Sequence, residues 1–200
     1  MWKPVRVALF GLVFLLLTGN VHEIGHTVTA RLLGDGSAHY LLYQARGQST
    51  CVGCNLYDSS SLSDTANVLV NFGGVFFTQL LCWSSILLLA RRDRPRLEPW
   101  MALTAIVITW SGDLILQLVQ GLLAEIPDHL PRGPEMTYTD YQAVVWFMRN
   151  RTGISAADLK QGLLWATIAY RGLLLLATRW ALRRRRPRAS KYNSPARAPV

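Results

Sequence analysis

Four apolar runs divide this chain, and each approaches or exceeds the roughly 20 residues that a helix needs to cross a bilayer. They extend over Pro4 to Leu33, Thr65 to Ala90, Pro99 to Leu123 and Leu159 to Leu182. Of the 200 residues, 50% are hydrophobic, a share that would suit one soluble domain if spread evenly. Gathered into blocks, it predicts an all-α fold: a polytopic membrane helix bundle with about four transmembrane helices, because a helix satisfies its own backbone in lipid. Thr139-x-x-Gln142 forms a capping box before a further apolar-rich stretch through Met148, which reads as a short interfacial helix. The expected organisation is one membrane domain over residues 1–182 and a basic, disordered tail over 183–200.

The net charge of +9 does not point to nucleic acid, because the cations sit at the ends of the apolar runs and not in a stripe with interleaved aromatics. Lys3 and Arg6, the cluster Arg91 to Arg96, and the tail from Arg183 all fall on one side of a four-span layout. The positive-inside rule then puts both termini in the cytoplasm, with the cell membrane as the expected location. Thr18-Gly19-Asn20 is a poor signal-peptidase site, so the first helix is expected to stay uncut and to end at Gly34. Three cysteines are too few for a disulfide scaffold; Cys51-Val-Gly-Cys54 lies in an outer loop where it either closes as a disulfide or remains two thiols, and Cys82 packs within the second run.

Inside the first apolar run lies His22-Glu23-Ile24-Gly25-His26, which holds two of the four histidines. Residues four apart share one face of a helix, so His22 and His26 can grip one metal ion, while Glu23 is turned about 100° aside and handles a water there. Two imidazoles, an open position and a carboxylate base are the zinc-hydrolase arrangement. Asp113, an ionisable group within the third run, is the expected third ligand; Asp140, in the first turn of the interfacial helix, is its rival, with helix-dipole stabilisation as its simpler role. Asn67, Asn71, Gly74 and Thr78 share one small, polar face of the second helix, which serves either helix packing or, with Asn71 and Gly73-Gly74 beside the metal, the holding of an extended substrate. Arg171 in the last run must face protein, either in a structural ion pair or near the metal. His39 and His129 read as solvated. Ser61-x-x-Asp64 and Ser155-x-x-Asp158 predict the starts of two helices, and an alternating stretch around Ala38 to Ala45 is compatible with a short strand.

The extended pattern His22-Glu23-x-Gly25-His26, then Ala30 and Gly34, resembles the H-E-x-G-H-x-x-x-A-x-x-x-G helix of the site-2 protease family of intramembrane zinc metalloproteases. The resemblance covers about 15 residues; the family's usual D-G motif is absent, since Asp113 is followed by Leu114. It implies one zinc ion held by His22, His26 and Asp113, with Glu23 activating the zinc-bound water; Asn71 and Arg171, from their places on the second and last runs, are the candidate substrate-positioning residues. The expected activity is endopeptidase cleavage of a membrane protein or peptide substrate within or beside the bilayer. Two other functions fit the same bundle: a non-proteolytic chaperone or regulatory protein, and a metal or proton transporter.

Overall fold

The computed structural model describes residues 2–46, 49–91, 107, 113–129 and 139–184. Helix α1 spans Trp2–Leu32, strands β1 and β2 span His39–Arg46 and Ser49–Leu56, and helix α2 spans Asp64–Arg91. Three further helices follow: α3 at Ile115–Leu123, α4 at Asp140–Thr152 and α5 at Ala156–Arg184. The protein is therefore mostly helical, and the all-α expectation is corrected by an antiparallel hairpin in which His39 faces Leu56 and Arg46 faces Ser49. The cause is local: the alternating Ala38 to Ala45 stretch finds a partner strand only ten residues further on, a pairing that one strand's pattern does not reveal.

Among the described residues one helix, Asp64–Ala90, is long and apolar enough to cross a membrane. Helix α1 is longer still but carries His22, Glu23, His26 and Arg31 in its second half. The third apolar run is described only at 107 and from 113 onward, and the arginine-rich tail beyond 184 lies outside the described residues. Large apolar side chains nonetheless face outward on three helices: Leu9, Leu12 and Leu16 on α1, Phe72, Phe76 and Leu80 on α2, and Trp165, Leu173 and Leu176 on α5.

Helices α1 and α2 cross where Gly25 meets Gly73. A Cβ built on Gly25 would lie 2.6 Å from the Gly73 carbonyl oxygen, and one on Gly73 would lie 2.9 Å from that of Gly25. Only glycine on both sides permits this approach. Above the crossing, Ala30, Ala38, Leu62 and Val70 form a small core. At the other end of α2, Cys82, Ile86 and Leu89 pack with Leu174 and Ala181 of α5.

Each helix end has an identifiable stop or start. Helix α1 closes in a Schellman motif, with the Asp35 N–H donating to Ala30 O at 3.0 Å, the Gly34 N–H to Arg31 O at 3.2 Å, and Gly34 at a φ of 114°. Helix α2 starts two residues later than the Ser61 box predicts: Ser63 is the cap, its Oγ accepting the Ala66 N–H at 3.2 Å, while Ser61 turns back to Asp58. The boxes at Thr139 and Ser155 form as expected, with Thr139 Oγ1 accepting from Gln142 N at 3.3 Å and Ser155 Oγ from Asp158 N at 3.1 Å. Lys160 of α5 donates to the terminal carbonyls of α3, to Leu122 O at 3.2 Å and Ala124 O at 2.5 Å, which joins those two helices.

Asp35 ties the hairpin segment to the end of α1. Its Oδ1 accepts from the Ser37 N–H and hydroxyl at 2.9 and 2.5 Å, and its Oδ2 from the Asp58 N–H at 2.7 Å. Burial raises the pKa of this carboxyl, but the hydrogen bonds from Ser37, Asp58 and Ala38 outweigh that and hold it below the ordinary value of 3.8. Because the native pKa is the lower one, the unfolded chain takes up the proton more readily as the pH falls. The carboxylate's contribution is whole above the ordinary aspartate range and is lost as the pH drops through the lowered native value. Asp35→Ala should cost about 1–3 kcal/mol at neutral pH. Thermal unfolding followed against pH should show the gap between wild type and variant closing only in that acid window.

Candidate metal centre

The second half of α1 presents His22 and His26 on one buried face, with their rings edge-on and 4.6 Å apart between centroids. What aims their nitrogens lies on other elements. His26 Nδ1 donates to the Val70 carbonyl of α2 at 2.7 Å. A carbonyl can only accept, so Nδ1 carries a proton, and the proton that Nε2 shares with Asp140 is the one that a metal ion would displace. His22 Nδ1 faces Asp113 Oδ1 at 3.1 Å. This approach is off the N–H axis, and Nδ1 has no aligned hydrogen-bond partner; the pair is a charge contact that favours the same tautomer.

Both Nε2 atoms thus point the same way, toward Asp140. Its Oδ2 lies 3.0 Å from His22 Nε2 and 3.5 Å from His26 Nε2. Beneath them α2 supplies Gly74, where a Cβ would stand 2.5 Å from His26 Nε2 and 2.7 Å from His22 Nε2. The missing side chain leaves a space bounded by two imidazoles and a carboxylate. Two ligand atoms each about 2.0 Å from a tetrahedral zinc lie about 3.3 Å apart. The two nitrogen-to-oxygen distances bracket that value, so Asp140 stands at a spacing from both imidazoles that a shared metal ion such as zinc would require.

Asp140 reaches this position because of how α4 is anchored. Thr139 caps the helix, which frees the Asp140 side chain from that task. Gln142 Nε2 donates to Glu125 O at 2.8 Å, Trp146 Nε1 to Asp128 O at 3.0 Å and Arg149 Nη2 to Pro127 O at 3.0 Å, fastening α4 to the segment that follows α3. Gly121 of α3 lies under the Tyr141 ring, with no room for a Cβ between them. Burial works against the Asp140 charge, yet hydrogen bonding to His22 and His26 prevails and holds its pKa at about 2. At neutral pH it is an anionic oxygen donor.

Asp113 was expected among the ligands, and its carboxylate stands elsewhere: behind His22, at Nδ1 and not with the converging Nε2 atoms. Thr78 of α2 donates a short hydrogen bond to its other oxygen. The reason is positional. Asp113 sits in a widened, π-type turn just before α3, and the two carboxylates approach the imidazole from opposite edges. A carboxylate behind a ligating histidine sets ring orientation and basicity.

Glu23 lies alongside. One ligand-type atom from each of His22, Glu23 and His26 falls within 4.8 Å of the others. The Asn55 backbone of β2 lies beside the Glu23 carboxylate. Thr27 Oγ1 donates to Asn55 Oδ1 at 2.9 Å, and Gly53, at a φ of 69°, brings β2 down onto Asn20 and Glu23. Cys54 is disulfide-bonded, which stiffens this strand, and Cys82 is free. Asn71 is buried, its Nδ2 donating to Asn67 O at 2.7 Å, and lies on the wall of a small cavity that includes Asp140. Arg171 is half-buried on α5 and lines neither that cavity nor the larger one beside it. His39 and His129 are exposed.

Sequence reasoning missed the Val70 carbonyl and Asn55, whose contributions are backbone groups without a residue signature. Gly74 and Thr78 were visible as members of the polar face, though not as floor and Asp113 partner. Comparison of the chain with protein-family models, with curated proteins and with solved structures finds no match.

Three substitutions separate these roles by zinc content of the purified protein. Asp140→Asn removes the oxygen donor and should abolish stoichiometric zinc. Asp113→Asn should leave one zinc bound with affinity reduced by about 10- to 100-fold. Gly74→Ala should lose zinc while keeping its helical content, since the added methyl occupies the space at both Nε2 atoms.

Proposed function

We propose that this chain is a zinc-dependent endopeptidase of the site-2 protease type, hydrolysing peptide bonds of membrane protein substrates within or beside the bilayer. The observation that carries the reading is the convergence of both Nε2 atoms with Asp140 over Gly74, with Glu23 adjacent and both Nδ1 atoms engaged from behind. His22, His26 and Asp140 would hold the zinc, and Asp113 would orient His22. A bound zinc supplies a Lewis acid that polarises a carbonyl and acidifies water.

Glu23 takes the proton from the attacking water and returns it to the nitrogen of the leaving amine. Asp113, behind His22 at Nδ1, raises the donor strength of its Nε2. Val70 O does the same for His26. Burial of the histidines at 7% and 6% exposure excludes bulk water from the reacting atoms.

Membrane placement rests on the four apolar runs and on the outward-facing leucines and aromatics of α1, α2 and α5, a surface too apolar for water. In this reading the four runs cross the bilayer, α4 lies at its surface, and the basic ends stay in the cytoplasm. Asn71, on the cavity wall near Asp140, is a substrate-positioning group.

Glu23→Gln keeps the shape of the side chain and removes its basicity. The variant should bind zinc as wild type does and cleave a membrane-peptide substrate about a hundred- to ten-thousand-fold more slowly. Wild-type rates in that variant would sink the mechanism.

A further inference from the structure

Beside the small cavity that contains Asp140 lies a larger chamber of about 450 Å³, between α2, Leu114 and α5. Its volume lies in the range of ligand sites. Phe72, Val75, Phe76 and Leu80 of α2 line it with Leu163 and Ala166 of α5, and the surface that the wall presents is almost wholly apolar. Three polar side chains of the wall are turned to one another. Trp83 Nε1 donates to Tyr170 Oη at 3.1 Å, and that hydroxyl donates to Gln79 Oε1 at 3.0 Å. The Gln79 amide nitrogen is itself buried and does not open onto the chamber. An occupant with amides of its own would bring a donor and an acceptor per residue to a wall that does not pair them. A hydrocarbon chain brings neither.

The depth of the chamber fixes the source of that chain. Helix α2 is long and apolar enough over Asp64–Ala90 to cross a membrane, and its wall residues, 72–83, are the middle of that stretch. Phe72, Phe76 and Leu80 recur at steps of four and are half-exposed, so the wall runs without a break onto the outer face of the helix. Ala166, across the mouth on α5, is exposed as well. Residues 72–83 extend over about 17 Å at a helical rise of about 1.5 Å each, close to half of a hydrocarbon core roughly 30 Å thick. Half of that core is the reach of an acyl chain in one leaflet.

We infer that the chamber is a binding site for one acyl chain of a bilayer phospholipid, which enters sideways between α2 and α5. This rests on the membrane placement and goes beyond it. The outward leucines of α1 meet lipid on one side only, whereas the chamber surrounds a chain. Transfer from bilayer to chamber carries no hydrophobic gain; dispersion contacts with the enclosing wall retain the chain. Phe72, Val75, Leu114, Leu163 and Thr167 also line the small cavity, so the bound chain closes the α2–α5 side of the candidate metal centre.

The test uses the full chain in phosphatidylcholine vesicles that contain a small fraction of phosphatidylcholine with a diazirine midway along one acyl chain. After irradiation, labelled residues are mapped by mass spectrometry. Labelling on the chamber walls, residues 72–83 and 163–170, should exceed that on Leu9, Leu12 and Leu16 of α1 by about tenfold, the ratio that some ten extra dispersion contacts produce. Those leucines are as exposed as the α2 wall residues, so they report lipid that is merely adjacent. Ala166→Trp, which fills the chamber from an exposed position, should bring the walls down to the α1 level, with α1 labelling and helical content unchanged. The wild-type ratio decides the matter even if that variant does not fold. Equal labelling of α1, α2 and α5 would reduce the lipid to a fluid surface layer and overturn the inference. So would a labelled α1 with unlabelled walls, which would mean that protein or peptide fills the chamber, and so would wall labelling by a diazirine-bearing free fatty acid but not by the phospholipid. Absence of label from all three helices would refute the membrane placement and this site with it. Zinc binding and cleavage are measured separately, so the peptidase reading and the lipid site fail independently.

Discussion

The contact between Gly25 and Gly73 is the constraint from which the rest of the site follows. With carbonyl oxygens of one helix where the other's Cβ would be, α1 and α2 approach closely enough for a backbone group of α2 to reach a side chain of α1. The Val70 carbonyl meets His26 Nδ1 one turn above the crossing, and Gly74 lies under the Nε2 atoms one position beyond it. A single larger residue at the crossing would separate all of these at once. Close packing of small residues is the way helices associate where no hydrophobic gain drives them together, so the device that holds the bundle also shapes the candidate centre.

The carboxylates divide their work by direction. Asp113 and Asp140 both lie near 3 Å from His22, on opposite ring nitrogens. Since one nitrogen of a neutral imidazole carries the proton and the other the lone pair, only one of the two can share a metal with it. Val70 removes the same ambiguity for His26. The chain thus engages both Nδ1 atoms from outside α1, with one acidic side chain and one carbonyl, and the remaining acid faces the Nε2 atoms.

The hairpin and α4 close the centre from two sides. Strand β2 brings Asn55 beside Glu23 and is held by the Asp35 hydrogen bonds at its base. Helix α4 is fastened to the segment after α3 by three side chains along its length, which gives Asp140 a rigid support even though it stands at a helix start.

Much of this was legible in the residues. The apolar runs announce the long helices, the i, i+4 histidines announce a shared face because helical periodicity is a local property, and the Thr139 and Ser155 boxes announce two starts because capping involves only neighbours in sequence. The hairpin was half legible, since β1 alternates and β2 does not. Which acid joins the histidines was not legible: depth along a helix, counted at about 1.5 Å per residue, says how far a side chain has travelled and nothing of which edge of an imidazole it meets. That choice depends on the π-type turn at Asp113, on the rotation of α4 and on the lateral offset of helices packed on glycine, and these are properties of packed elements. By itself, then, the sequence determined the long helices, the histidine pair and the neighbouring carboxylate; the tertiary structure alone decided which acid faces the converging Nε2 atoms and which group stands behind each ring, because these are groups that meet only when distant segments are pressed together.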